Sequence, residues 1–167
     1  MNDDPDLLRD ADISLEMCRK NGLTVATAES CTAGMIGGYL SAIAGSSDVL
    51  DRGFITYSNQ AKQDLLGVSA KDLDQFGAVS GVVAKSMAEG GLKEAGTGIC
   101  VAVTGVAGPG GGSDDKPVGL VYLACARNQL DTIIEKHIFS GNRDEVRRQT
   151  VQCALHLITR QAGFVSQ

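Results

Sequence analysis

The amino-acid sequence predicts an α/β protein, a three-layer α/β/α sandwich built around a mixed β-sheet. Three observations carry that expectation. Strand-like and helix-like segments alternate along the chain, which is the pattern of helices packed on a sheet. The segment "GICVAVTG" is almost continuously apolar, as a strand covered on both faces must be. Two late strand segments are joined by the short polar turn "RNQL", and only antiparallel neighbours can be joined so tightly.

The elements come in a clear order. Leu7 to Lys20 carries Leu8, Ala11, Leu15 and Met17 or Cys18 at helical spacing, and Asn21–Gly22 ends that helix. "LTVATA" reads as a short strand, followed by the junction "TAESCTAG" and a helix reaching about Ile43. "GSSD" is a turn, and "VLDRGFITYS" has the β-branched and aromatic content of a strand. Two short helical segments, "QAKQDLLG" and "AKDLDQFG", precede a longer helix over about Val82 to Ala95. After "GICVAVTG" comes the loop "VAGPGGGSDDKP", then the strands "VGLVYLACA" and "DTIIEKHIF", and a last helix from about Arg143 to Arg160.

The chain holds 167 residues, and domains typically hold roughly 100–200, so one domain over 1–167 is expected. Apolar residues make up 43% and charged residues 21%, the balance of a globular protein able to bury a core. The net charge of −5 and the lack of a basic run argue against nucleic acid as a partner. An anionic ligand would have to be held by local groups against the overall field. The start "MNDDPDLL" is acidic where a secretory leader is basic, and no window approaches the ~20 apolar residues of a membrane span. Five cysteines, Cys18, Cys31, Cys100, Cys125 and Cys153, are dispersed and lack paired metal spacing, which suits free thiols in a reducing cytoplasm. No metal or cofactor is expected, and a homo-oligomer is left open.

The junction "TAESCTAG" places Ser30 where a strand gives way to a helix. One reading makes Ser30 a helix N-cap, worth about 1 kcal/mol. The other makes it a nucleophile presented on a strand-to-helix turn beside free amides that bind an oxyanion. Cys31 is a rival nucleophile at the same helix start. The two histidines, His137 and His156, lie in a strand and in the last helix as packing or surface residues, so a Ser-His-Asp arrangement has weak support.

A different base is available in "TYSNQAK". With Asn59 as cap, Lys62 falls in the first turn of a helix, where the dipole disfavours a cation. That effect supplies about 0.3–1 kcal/mol, against about 1.36 kcal/mol per pKa unit. Bringing a lysine from about 10.4 to the 7–8 useful for a base therefore needs desolvation or a neighbouring cation as well. Tyr57, at the strand end, can orient Lys62 or donate to a substrate. The glycine-rich loop offers amides to a phosphate or oxyanion, but Lys116 is followed by Pro117, so it is not a Walker loop. Thr104, at the end of the buried strand, is placed to touch a ligand. Asn142 reads as the cap of the last helix, with Arg143 and Arg147 at its positive end, a conflict resolved by a bound anion or by pairing with Asp144 or Glu145.

Taken in order, "TAESCTAG … YSNQAK … GAVSGVVAKSMAEG … VAVTGVAGPGGGSDDKPVGLVY … GNRDEVRRQ" resembles the CinA C-terminal domain family over nearly the whole chain. Some members of that family are nicotinamide mononucleotide deamidases, and others are discussed in connection with competence. The resemblance implies hydrolysis of the carboxamide of a pyridine nucleotide, giving nicotinate mononucleotide and ammonia, at a serine–lysine site without metal. It implies Ser30 as nucleophile, Lys62 as general base and Tyr57 as a supporting hydroxyl. Thr32, Thr104, the loop residues Ala107, Gly108, Gly110, Gly111 and Gly112, and Arg143 would bind the substrate, with the phosphate on Arg143 or on the glycine loop. The first block usually ends in two glycines; here Ala33 replaces the first, and its methyl is expected to narrow the space beside Ser30. The alternative is a non-catalytic module that binds a nucleotide or a partner.

Overall fold

Nearly every helix begins where the sequence supplies an oxygen for its free amides, each such cap being worth about 1 kcal/mol. In the computed structural model, which describes residues 3–164, Asp4 accepts from the amides of Asp6 and Leu7 and starts α1 (Pro5–Lys20). Ser58 starts α3 (Asn59–Leu66), Ser69 starts α4 (Ala70–Phe76) and Ser80 starts α5 (Gly81–Ala95), each through its hydroxyl. Asn142 starts α6 (Arg143–Ala162) with a reciprocal capping box through Glu145. Asn59, expected as the cap before Lys62, is instead the first helical residue; the hydroxyl of Ser58 reaches the Ala61 amide first. α2 (Met35–Ala42) has Gly34 at its cap and no side-chain cap from that residue.

Five strands, β1 (Val25–Glu29), β2 (Leu50–Ile55), β3 (Ile99–Gly105), β4 (Leu120–Arg127) and β5 (Ile133–Ile138), form one sheet in the order β2-β1-β3-β4-β5. β1 runs parallel to β2 and β3, while β4 is antiparallel to β3 and to β5, so the sheet is mixed as expected. Helices α1, α2 and α6 pack on one face over a core that includes Leu15, Ile36, Val101 and Leu155. The other face carries α5, with α3 and α4 packed on it, over Ala26, Ala28, Cys100, Ala102 and Ala124.

The small side chains of that second core have a geometric consequence: α5 lies close to the sheet and to α3. A Cβ at Gly91 would stand 2.6 Å from the Cys100 sulfur, and one at Gly90 would stand 1.9 Å from the carbonyl oxygen of Leu66, the last residue of α3. In an open helix, glycine to alanine gains roughly 1 kcal/mol. Here the added carbon meets backbone, and forced overpacking costs about 1–3 kcal/mol. Gly90→Ala should therefore lower stability by about 1–2 kcal/mol, read as an earlier urea midpoint at unchanged slope; an unchanged or later midpoint would show that α3 yields freely.

Candidate active site

The chain leaves β1 through α2 on one face and returns to β3 through α5 on the other, so a crevice opens at the carboxyl ends of β1 and β3. Open α/β sheets place ligands at such a switch point. Ser30 sits there, one residue beyond β1. Its amide donates to the Val103 carbonyl of β3, and the Glu29 carbonyl accepts from the Thr56 amide beyond β2. The serine is thus fixed from both neighbouring strands.

Beyond Ser30 the chain makes a turn before it becomes helical. Ala33 and Gly34 adopt left-handed φ values of 50° and 95°, and α2 starts only at Met35. Ser30 is therefore not the helix cap. The capping acceptor comes from its neighbour, Glu29, 1% exposed, whose carboxylate accepts from the Thr32 hydroxyl at 2.6 Å and from the amides of Gly34, Ile36 and Gly37 at 2.9–3.1 Å. On the outer side, Arg147 of α6 donates to the Thr32 carbonyl at 3.0 Å. Among the described residues, the amide of Cys31 donates to no other residue's carbonyl.

Lys62 enters from α3. Its ammonium-bearing end is buried, with Nζ 3.1 Å from Ser30 Oγ and donating to the Thr56 carbonyl at 2.8 Å. Burial disfavours the charged amine and holds the Lys62 pKa below its ordinary value, with Cys31 acting in the opposite sense only where its thiol is ionised. A neutral amine can give one hydrogen to Thr56 and turn its lone pair to the serine hydroxyl. The Cys31 thiol, by contrast, is pushed up to about 11, first by burial and further by the charge of Glu29, so it stays a thiol at neutral pH.

Tyr57, Thr104, Ala107 and Arg143 join Ser30 and Lys62 around a cavity of about 200 Å³. Arg143 donates to the Gly108 carbonyl at 2.7 Å and to the Tyr57 hydroxyl at 3.1 Å, which draws α6, the glycine loop and the end of β2 together over the crevice. The Thr104 hydroxyl donates to the Ala78 carbonyl at 2.9 Å, so it positions the Ala78–Val79 wall. Thr32 is wholly buried beneath the turn and faces Glu29, away from the cavity. Gly108 reaches the site through its carbonyl. Gly110, Gly111 and Gly112 are exposed and outside the cavity lining, in a loop tied down by Lys116 Nζ on the Phe76 carbonyl at 2.7 Å.

Neither Arg143 nor Arg147 pairs with Asp144 or Glu145; the Glu145 carboxylate is spent on the Asn142 amide. His137 pairs with Glu135 and His156 with Asp10, and neither lines the cavity. Glu29, Thr56 and the Ala78–Val79 wall are not expected from sequence. A signal for Glu29 does exist in the chain, an acid directly before the turn with glycines five and eight residues on; the wall carries no signal at all.

Comparison with known proteins gives the family of the chain. Residues 9–162 match the CinA C-terminal domain. The chain belongs to the CinA C-terminal domain family. Over 143 residues it is 47% identical to the nicotinamide-nucleotide amidohydrolase PncC of Escherichia coli, covering 86% of this chain and 87% of that protein. A CinA-like protein of Syntrophobacter fumaroxidans is 50% identical over 145 residues, 87% of this chain but only 34% of the relative; the chain spans about a third of such longer relatives. The fold superposes on the crystal structure of the competence/damage inducible protein CihA from Agrobacterium tumefaciens with a TM-score of 0.92 and 46% identity, over 94% of this chain and 96% of that one.

In this CinA domain Ala33 is exposed and does not line the cavity, so the expected narrowing beside Ser30 does not occur. Its cost is in the backbone, since a left-handed φ disfavours an L-residue by roughly 1–2 kcal/mol relative to glycine's free access. No helix among the described residues is long and apolar enough to cross a membrane. For Lys62 the sign of the pH effect is fixed by burial: the ammonium is the penalised form, so the proton leaves at lower pH than from an exposed lysine. In an NMR titration of isotopically labelled lysines, the Lys62 resonance should move below the ordinary value of 10.5 and ahead of the surface lysines. Titration together with them would mean that the amine is solvated.

Proposed function

We propose that the chain hydrolyses the carboxamide of nicotinamide mononucleotide, releasing ammonia and nicotinate mononucleotide, with Ser30 as nucleophile and Lys62 as its base. The observation that carries this reading is the contact of a buried amine with a serine oxygen at 3.1 Å. The activity named for the E. coli relative, which this chain matches over nearly its full length, supplies the substrate class.

The steps use only the groups present. Lys62 accepts the Ser30 hydroxyl proton while Oγ bonds to the carboxamide carbon. The pyridinium ring withdraws electrons from that carbon, which favours addition. The oxygen's developing charge meets the amide of Cys31, which donates to no other residue's carbonyl and lies next to the nucleophile as on other strand-to-helix turns. The carbon–nitrogen bond then breaks, and the proton held by Lys62 leaves with the nitrogen as ammonia. Water enters, gives one proton to Lys62 and attacks the ester; collapse returns that proton to Ser30 and frees nicotinic acid mononucleotide, whose carboxyl loses the second proton to solvent.

The cavity is smaller than the roughly 300–1,000 Å³ of sites that enclose a drug-sized ligand. It suits the nicotinamide ring and leaves the ribose phosphate outside. Arg143 and Ala107 also border a second cavity of about 470 Å³, which gives the tail a path past a guanidinium with donors to spare. Arg143 is accordingly the phosphate ligand in this reading, and Tyr57 is the hydroxyl that holds Arg143 over the ring.

Ammonia release from nicotinamide mononucleotide by the purified protein is the decisive assay; a folded protein that releases none would be a nucleotide- or partner-binding module. Ser30→Ala should reduce turnover at least about 10³-fold, the scale of losing a nucleophile, while Cys31→Ser is mild; the reverse pattern would move the role to the thiol. Lys62→Arg should be nearly inactive because a guanidinium keeps its proton, and substantial activity would remove Lys62 from the mechanism. Separately, Arg143→Ala should raise KM for the mononucleotide far more than for the phosphate-free riboside. Equal effects on the two would argue against a phosphate contact.

A further inference from the structure

Glu29 is a charged side chain shut inside the protein beside the proposed nucleophile, and no step of the reaction uses it. Its two oxygens face four donors from the segment immediately after Ser30: the hydroxyl of Thr32 and the amides of Gly34, Ile36 and Gly37. Three of these are amides that can only donate, so the site requires an acceptor on both oxygens, which a carboxylate is and a carboxamide is not. The turn so held contains two consecutive left-handed residues, Ala33 and Gly34, a conformation that the surrounding structure must enforce.

The turn has little else to hold it. Inside it run two backbone bonds, Ala33 amide to Ser30 carbonyl and Met35 amide to Thr32 carbonyl, both at 3.2 Å, and outside it is the Arg147 bond to the Thr32 carbonyl. Released from Glu29, the segment would wind toward the ordinary helix that its sequence suggests, starting at Ser30. That would turn Ser30 into a cap, with its oxygen directed to the helix amides and away from Lys62.

From this we infer that Glu29 is a positioning residue: its carboxylate keeps α2 from starting at Ser30 and thereby keeps the serine oxygen aimed at Lys62 and the Cys31 amide aimed at the reacting oxygen. The inference rests on the amidase reading for its substrate, but it concerns the reactivity of Ser30 itself. A displacement of about 1 Å at such a site costs on the order of 10² in rate.

The test compares Glu29→Gln with the parent protein, well below its melting temperature, by steady-state ammonia release and by the rate at which a fluorophosphonate labels Ser30. The expected result is a fall in kcat of about 10²-fold with KM within about threefold, and a parallel fall in labelling rate. Ser14→Ala serves as control, since it removes buried hydrogen bonds between α1 and α6 and should lower the melting temperature without slowing labelling. A folded Glu29→Gln protein that keeps kcat and labelling within twofold overturns the inference, as does a fall in both matched by Ser14→Ala. Should Glu29→Gln not fold, Thr32→Val decides. A loss of three- to tenfold in labelling supports the positioning role, and none overturns it. If the parent protein labels at Ser30 but releases no ammonia, the substrate reading fails while labelling still tests Glu29. If it does neither, both fall.

Discussion

A lysine amine removed from water must either find polar partners in the protein or give up its charge, and the arrangement around Lys62 does both. Its nitrogen has the Thr56 carbonyl and the Ser30 oxygen, and burial favours the neutral form. Much of the architecture is what such a seat requires. β1 and β2 must run parallel for Ser30 and Thr56 to arrive at the same end of the sheet. α3 must begin directly after β2, and the Ser58 cap sets where its first turn falls, so that Lys62 points back over the strand ends. α5 must lie close, which Gly90 and Gly91 permit, for α3 to be pressed onto the crevice.

Two buried ionisable groups therefore flank Ser30 with opposite demands. Glu29 is surrounded by donors and is held as an acceptor by the backbone; Lys62 has few partners and is driven toward neutrality. Isolated buried charges are costly, and a pair that neutralised each other by direct contact would leave the Ser30 oxygen without a free amine beside it. The structure separates the roles: Glu29 is satisfied by α2, and Lys62 by β2 and the serine. Cys31, between them, is kept as a thiol and serves as cavity wall.

How far the sequence can be read depends on the range of the forces involved. Strand order in the chain, helix periodicity and most caps are local, and the three-layer fold is legible from them. Ser30, Lys62, Tyr57, Thr104, Ala107 and Arg143 stand out because they sit at element ends, and the structure brings them around one cavity. The departures have long-range or finely balanced causes. Asn59 and Ser58 are equivalent caps by composition, and only the reach to the Ala61 amide separates them. Ser30 reads as the start of a helix because nothing local reveals that Glu29 takes the amides of a helix four residues late. Thr32 is expected among the ligand-binding residues, whereas its hydroxyl is turned inward by that same carboxylate. Gly110, Gly111 and Gly112 have a phosphate-loop composition, yet the Lys116 strap sets where the loop lies, and that contact spans forty residues of chain.

The two arginines at the start of α6 show why local charge outweighs the total. A net charge of −5 opposes an anionic substrate, but at physiological salt fields between exposed charges fade over about 8 Å. Arg143 lines the crevice and Arg147 reaches the adjoining turn, both from a helix end whose dipole disfavours a cation. The capping box already fills the free amides of α6 with the Asn142 oxygen, so the helix end itself has little left to offer an anion. In the proposed reading a guanidinium stands in for it. Arg147 is committed to the Thr32 carbonyl on the turn after Ser30, and Arg143 is held by one carbonyl and one phenol, neither of which cancels its charge. An arginine kept at an unfavourable helix end with neutral partners retains its full attraction for a phosphate. An ion pair with Asp144 or Glu145 would have relieved the helix and lost that attraction.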